Sequence, residues 1–263
     1  MSIKTPFHAT SCAGFSRTES IITPADMKIR YLFGVDLTDQ DGNELPEATL
    51  QHQLNAAVSY LEHKLDIIIQ ATSFTEKHDY NANDYSHFSF LQLKHKPVCA
   101  VEEFRAKFPT NKELVSYPPE WFVVEQESGQ LQLSPVEGTF SGLIITQGGS
   151  YVPLVFGARS QWPHLFEVKY IAGFDADKVP VIINEMIGLQ AAIRTFEILG
   201  DIVLGPGTAN ESVSLDGAST SKGLTASAMY SAFSARIESY RKQLDEYITT
   251  VRDFYRGIPI TII

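Results

Sequence analysis

The sequence predicts an α+β protein: a helical bundle of three to four helices with an inserted small all-β module and a long C-terminal helix. Three observations predict it. Apolar residues recur at steps of three and four over about 47–69 and again on the way to Tyr255, the spacing of one helix face. Between about 72 and 170, short runs rich in Tyr, Phe, Val and Thr alternate with turn residues, as strands do. The stretch Tyr170 to Leu199 (YIAGFDADKVPVIINEMIGLQAAIRTFEIL) joins the two regimes by leaving a strand and starting a helix that is apolar on most of its circumference. Such a helix must be surrounded, by its own domain or by neighbouring subunits.

Residues 1–21 are small and polar and are expected to form an N-terminal arm. Ile22-Thr23-Pro24-Ala25-Asp26 reads as a helix start, with Thr23 as N-cap, Pro24 at the first helical position and Asp26 favourable to the helix dipole. This short helix ends at Gly34. An acidic turn, Asp36 to Pro46, leads into an amphipathic helix over about 47–69. Leu50, Leu54, Ala57, Leu61, Leu65 and Ile68 share one face, with Gln51, His52, Glu62 and Lys64 off it. Burying each of those leucines contributes roughly 1.5–3 kcal/mol, and the helix starting at Pro180 is the expected partner.

The β module is expected over 72–176, from runs such as FTEKHDY, HFSFLQL, VCAVEEFRAKF, WFVVEQ, GQLQLS and FEVKYIAG. Ser128-Gly129, Glu137-Gly138 and Gly148-Gly149 mark turns, and Ser150 to Pro163 reads as a long loop. Phe166, Val168 and Tyr170 alternate as in a strand. After the turn at Gly173-Phe174-Asp175, Pro180 suits a first helical turn because its missing N–H had no intrahelical partner there. The Gly- and Ser-rich segment 205–223 reads as a loop. The last helix is expected from about Ser221 or Thr225, with Met229, Phe233, Ile237, Tyr240, Leu244, Ile248, Val251 and Tyr255 on one stripe. Gly257-Ile258-Pro259 stops it. The expected division is a helical domain of 22–71 and 177–257, the β module of 72–176, and a tail of 258–263.

With 263 residues, 44% hydrophobic and 20% charged, the composition is that of a globular protein with room for a real core. A formal net charge of −10 argues against a surface that wraps nucleic acid. Cys12 and Cys99 are far apart with no CxxC pairing, so free thiols in a reducing compartment are expected. The N-terminus lacks the apolar core of a signal peptide and no apolar run approaches a membrane span, which points to a protein kept in a cytoplasm or in something assembled there.

Signatures of chemistry fail one by one. Aligning Asp41-Gly42 to an EF-hand puts Leu37 at the first ligand position and Ala48 at the last, which cannot bind calcium. His52 and His63 are too far apart on one helix to share an ion, and His87 and His95 lack supporting Cys or carboxylates. Gly-x-Ser-x-Gly is absent, and Gly205-Pro206-Gly207 lacks the Lys-Ser/Thr of a phosphate loop. Glu102 and Glu103 are adjacent in a strand and face opposite ways. No catalytic residue, metal or cofactor is therefore expected. What the sequence does offer is apolar surface: the Pro180 helix, the long last helix and the segment Ile258 to Ile263, which an oligomer would cover.

The order of these elements resembles the head–tail connector (adaptor) proteins of tailed bacteriophages, the ring that docks beneath the portal. Ile22-Thr23-Pro24 with its short helix, then the helix carrying Ala56-Ala57 and Tyr60-Leu61-Glu62, looks like that family's N-terminal helix pair. FLQLKHKPVCAVEEFR (Phe90 to Arg105) is similar to its apolar strand, Pro-Val and next strand, and Trp121 to Pro135 to its aromatic hairpin. Val168-Lys169-Tyr170-Ile171-Ala172-Gly173 followed by Val179-Pro180 matches the family's Tyr-x-x-Gly and Val-Pro lead-in to an apolar helix. The resemblance spans roughly Ile22 to Leu199; the chain departs in its larger β insertion, the Gly/Ser-rich segment and the very long last helix.

The resemblance implies a non-enzymatic ring of this chain, dodecameric, in the virion neck between head and tail and assembled in the host bacterial cytoplasm. It implies the portal protein on one side and tail terminator, stopper or other neck proteins on the other. Double-stranded DNA would pass through the lumen without sequence reading, and an acidic lumen opposes its adhesion. In such adaptors the C-terminal segment reaches into the portal, which gives Tyr255, Ile258, Pro259, Ile260, Ile262 and Ile263 as docking residues here. The alternatives are a tail or baseplate binding module and, further off, a hydrolase with a site in the β module.

Overall fold

The computed structural model describes residues 18–38, 42–81, 90–107, 113–134, 143–145, 151–153, 161–204, 210–215, 218–223 and 233–255. In chain order they form β1 (Thr18–Glu19), α1 (Pro24–Arg30), α2 (Glu47–Leu65), β2 (Thr72–Asn81), β3 (Leu91–Gln92), β4 (Val98–Lys107) and β5 (Glu113–Ser116). A 3-10 turn at Pro119–Trp121 precedes β6 (Phe122–Glu125), β7 (Gln130–Leu133), β8 (Leu143–Ile145), β9 (Tyr151–Pro153), β10 (Gln161–Ala172) and β11 (Val179–Pro180). Then come α3 (Val181–Leu204), the pair β12 (Asn210–Leu215) and β13 (Ala218–Gly223), and α4 (Ser234–Tyr255). The class is α+β, with antiparallel sheets and a C-terminal helix, as the sequence predicts. The chain divides into a helical unit, Arg17–Leu65 with Val179–Arg252, and a β unit built on Asp66–Lys178 that also takes the end of α4 from Asp253 on.

In the helical unit, α1 starts with a capping box: Thr23 Oγ1 accepts from the Asp26 N–H at 3.3 Å, and Asp26 Oδ2 accepts from the Thr23 N–H at 3.1 Å. The hydrogen bond from the Thr23 hydroxyl is the main reason the Asp26 carboxyl titrates below its usual range. α2 buries Leu50, Leu54, Ala57, Val58, Leu61 and Leu65 and packs along α3. No residue from Val181 to Gly200 is exposed, so α3 is surrounded as its apolar circumference requires. Its buried Asn184 ties down the chain that precedes α1, donating to the Ser20 carbonyl at 2.8 Å and accepting from the Ile22 N–H at 3.3 Å. Gly188 lets the Tyr31 ring lie directly on α3, because a Cβ there would sit 2.3 Å from that ring. On α4, Ile237, Leu244, Ile248 and Val251 are buried, while Arg236 lies 5.3 Å over the Phe196 ring.

In the β unit, β10 is the central strand of a sheet ordered β2-β10-β4-β5, and β3-β7-β6 form a second sheet. Phe166, Val168, Tyr170 and Ala172 of β10 are all buried and share a core with Phe104, Tyr117, Trp121 and Leu131. Phe104 meets Phe166 edge-on at 5.2 Å and Tyr117 at 5.0 Å. The chain leaves β10 through Gly173 at φ +105°, where a Cβ would stand 2.7 Å from the Gln70 carbonyl carbon and oxygen. Both the backbone angle and the contact require glycine.

Several boundaries differ from expectation. α2 ends at Leu65, not near 69: Asp66 takes φ +57° and breaks the helix, and Ile67 to Ile69 run on as extended chain, with Ile67 and Ile69 buried. Three consecutive isoleucines fit a helical stripe and a strand equally well. Val179-Pro180 pairs with Thr18-Glu19 as a strand, so helix α3 begins at Val181 and Pro180 lies just before it. The expected loop Ser150 to Pro163 contains β9 and the start of β10. The expected loop 205–223 carries an antiparallel strand pair, β12 with β13, in its described residues. α3 runs to Leu204, past the expected end at Leu199, and the described part of α4 is Ser234–Tyr255; Ser221 lies in β13, while Thr225 and Met229 lie outside the described residues. Cys99 is disulfide-bonded, in place of the expected free thiol, and Cys12 lies outside the described residues.

Candidate assembly surfaces

Alternation along β2 puts Phe74, Glu76 and His78 on one face, opposite Tyr170 of β10. The Glu76 carboxylate accepts from the Tyr170 hydroxyl at 2.5 Å and from the Lys94 N–H at 3.2 Å, with His78 Nε2 at 3.1 Å and His95 Nε2 at 3.6 Å. The His95 N–H donates to the Tyr170 oxygen at 3.0 Å, and its ring stacks on Phe74 with centroids 4.0 Å apart. Burial pushes the His78 imidazole below its usual range, against the pull of Glu76. Burial, then the bond to Glu76, raises the Tyr170 hydroxyl. The carboxylate is engaged on both oxygens, so this cluster fastens the 93–97 segment to the sheet and holds no nucleophile poised for attack.

The other candidate groups do not converge. His52 and His63 are exposed along α2, while His87 lies outside the described residues. Among the described residues, no group of three His, Cys, Asp or Glu side chains is arranged to hold a metal ion. The acidic turn closes on itself, since Asp36 Oδ1 accepts from the Thr38 N–H at 3.1 Å and hydroxyl at 2.7 Å and Thr38 bridges to Glu44.

Of the expected docking residues, Tyr255 is fully buried in the β unit, edge-on to Phe174 at 6.3 Å and to Phe254 at 5.1 Å. Burial raises its hydroxyl well above the usual phenol range. Ile258, Pro259, Ile260, Ile262 and Ile263 lie outside the described residues.

Two features of the helical unit were not read from the sequence. Ile29 on α1 and Phe33 just after it are 69% and 77% exposed. Met27, Tyr31 and Leu32, on the other side of this segment, are buried. Apolar residues on both sides of a short helix with one buried face are the signal that marks such a patch. A groove of about 570 Å³ also opens between α2, α3 and α4, lined mainly by the polar and charged side chains Gln53, Gln190, Arg194, Glu197, Arg241 and Asp245.

No family model matches the chain, and no curated protein matches it. Among solved structures it is similar to a chain in the neck of an empty gene transfer agent particle, at 16% identity over 65% of this chain and 76% of that one, with a TM-score of 0.42. It is also similar to a chain in the virion of the native gene transfer agent particle, at 15% identity over the same shares, 65% and 76%, with a TM-score of 0.41. A third likeness, to a chain in the neck of the native particle, has 13% identity over 93% of this chain and 97% of that one, with a TM-score of 0.39.

Proposed function

We propose that this chain is a non-enzymatic structural protein of a phage neck, a head–tail connector (adaptor) that forms a ring below the portal, joins the capsid vertex to the tail and lets DNA pass. The observation that supports this reading most is the lead-in to α3. Tyr170-Ile171-Ala172-Gly173 ends the central strand on a glycine that the backbone requires, and Val179-Pro180 then delivers the chain into a helix with no exposed residue from Val181 to Gly200. These are the residues that carry the resemblance to the adaptor family, and they are also the residues around which both units are built.

On this reading the ring is a closed assembly of identical copies, twelve by the resemblance, in the virion neck after assembly in the host cytoplasm. Tyr255, packed on Phe174, fixes the root of the segment that follows. Ile258, Ile260, Ile262 and Ile263 are the apolar anchors in the portal, and Pro259 keeps the segment extended because its ring fixes φ and removes a donor. Tail terminator or stopper proteins meet the opposite side. The acidic balance of the chain, −10, lets double-stranded DNA slide without adhesion. Deleting 256–263 tests the docking role. A soluble deletion variant is expected to lose its place on the portal, and one that fills connectors at wild-type occupancy removes that role.

A further inference from the structure

We propose that Ile258 to Ile262, outside the described residues, add to the outer edge of β2 and extend its four-stranded sheet while the chain is unassembled. The sheet leaves an edge for them. β2 runs for 10 residues, Thr72–Asn81, and among the described residues its one partner strand is β10. Phe104 of β4 gives its carbonyl to the Tyr117 N–H at 2.9 Å, on the β5 side. Val168, opposite Phe104, therefore turns its own backbone groups the other way, to Glu76 of β2. Alternation then aims the N–H and C=O groups of Ser73, Thr75, Lys77 and Asp79 at the outer edge. A row of such groups is a template for another strand.

The end of α4 leads the segment to that edge. Tyr255 packs on Phe174 with ring centroids 6.3 Å apart. The Phe174 backbone in turn donates to the Ile69 carbonyl at 2.9 Å and accepts from the Ala71 N–H at 3.1 Å. Tyr255 therefore stands beside the residues that run into Thr72, the start of β2. The steps from Tyr255 to Ile258 span at most about 11 Å, roughly two strand spacings. A strand entered from there runs parallel to β2, and both ends of this contact belong to the β unit.

The sequence of the segment fits one register. Pro259 has no N–H, so it belongs on the outward side of an edge strand. Alternation then turns the backbone groups of Ile258, Ile260 and Ile262 towards β2. In parallel strands, residues whose side chains share a face also aim their backbone groups the same way. On β2, Phe74, Glu76 and His78 aim theirs at β10 and carry their side chains on the core face. The three isoleucines therefore lie on that face, next to the half-buried Phe74, with Pro259 and Thr261 towards solvent. The register that spares the proline is the one that buries the isoleucines, and the proline blunts the new edge. This contact does not need the neck reading; on that reading, the strand leaves β2 when the portal takes the same isoleucines.

The test follows amide hydrogen exchange residue by residue, by NMR, in the full unassembled chain. The amides of Ile260 and Ile262, and those of Thr75 and Lys77 across from them, are expected to be protected about tenfold or more. Deleting 256–263 should remove that protection from Thr75 and Lys77 and leave the amides that β2 shares with β10 unchanged. Ile260→Pro removes a donor that faces β2 and should have the effect of the deletion, whereas Thr261→Pro, on the outward side, should keep the protection. Segment amides that exchange as fast as an unfolded peptide's, or Thr75 and Lys77 unchanged by the deletion, overturn the contact. Equal effects of the two proline variants, both folded by near-UV circular dichroism, overturn it as well. Protection that grows with protein concentration marks the segment of a second copy and overturns the intrachain contact. A chain that never joins a portal, with its segment protected, overturns the docking role and leaves this contact standing.

Discussion

Gly173 and Gly188 carry more structural consequence than any side chain beside them. At Gly173 an alanine meets both a left-handed backbone and the Gln70 carbonyl, so Gly173→Ala should cost at least about 1–3 kcal/mol in denaturant unfolding. Gly188→Ala drives a methyl into the Tyr31 ring, an overpacking worth about 1–3 kcal/mol. Tyr170→Phe should cost about 1–3 kcal/mol, because the partly buried Glu76 carboxylate and the His95 N–H both lose a partner. His78 sets a pH dependence. Its folded pKa lies below the unfolded value, so from about pH 6.5 downward the unfolded chain binds more protons and stability falls until the folded pKa is passed. In His78→Gln the curve of stability against pH should be flatter across that window.

At the scale of elements, the start of α1 was legible: Thr23 is the N-cap and Pro24 opens the helix as expected, and Asp26, expected only to favour the dipole, also closes a capping box with Thr23. Thr23→Ala should lower stability by about 0.5–2 kcal/mol, read by thermal or denaturant unfolding. The stripe on α2 and the alternation on β10 were equally readable, because one-sided burial imposes a period on the sequence. Ends were less readable. The Ile67 to Ile69 run carries no period, so only the backbone at Asp66 shows where α2 stops. The pair β12–β13 was missed because Ser, Thr and Gly dominate it. The Glu76 cluster joins residues far apart in sequence, and no local spacing could have assembled it.

At the scale of the whole molecule, the division into a helical and a β unit follows from where helical spacing gives way to strand spacing near Asp66 and returns at Val179. The surfaces for assembly were only half legible. Apolar content at 258–263 is plain in the sequence, whereas the exposure of Ile29 and Phe33 depends on which side of α1 its neighbours bury. The central claim is that this chain works as a ring on a portal. The measurement that tests it most directly is the mass of the purified protein in solution, alone and mixed with a portal ring. The account predicts a ring-sized species, either free or formed only on the portal. A monomer that stays monomeric in both samples would contradict it.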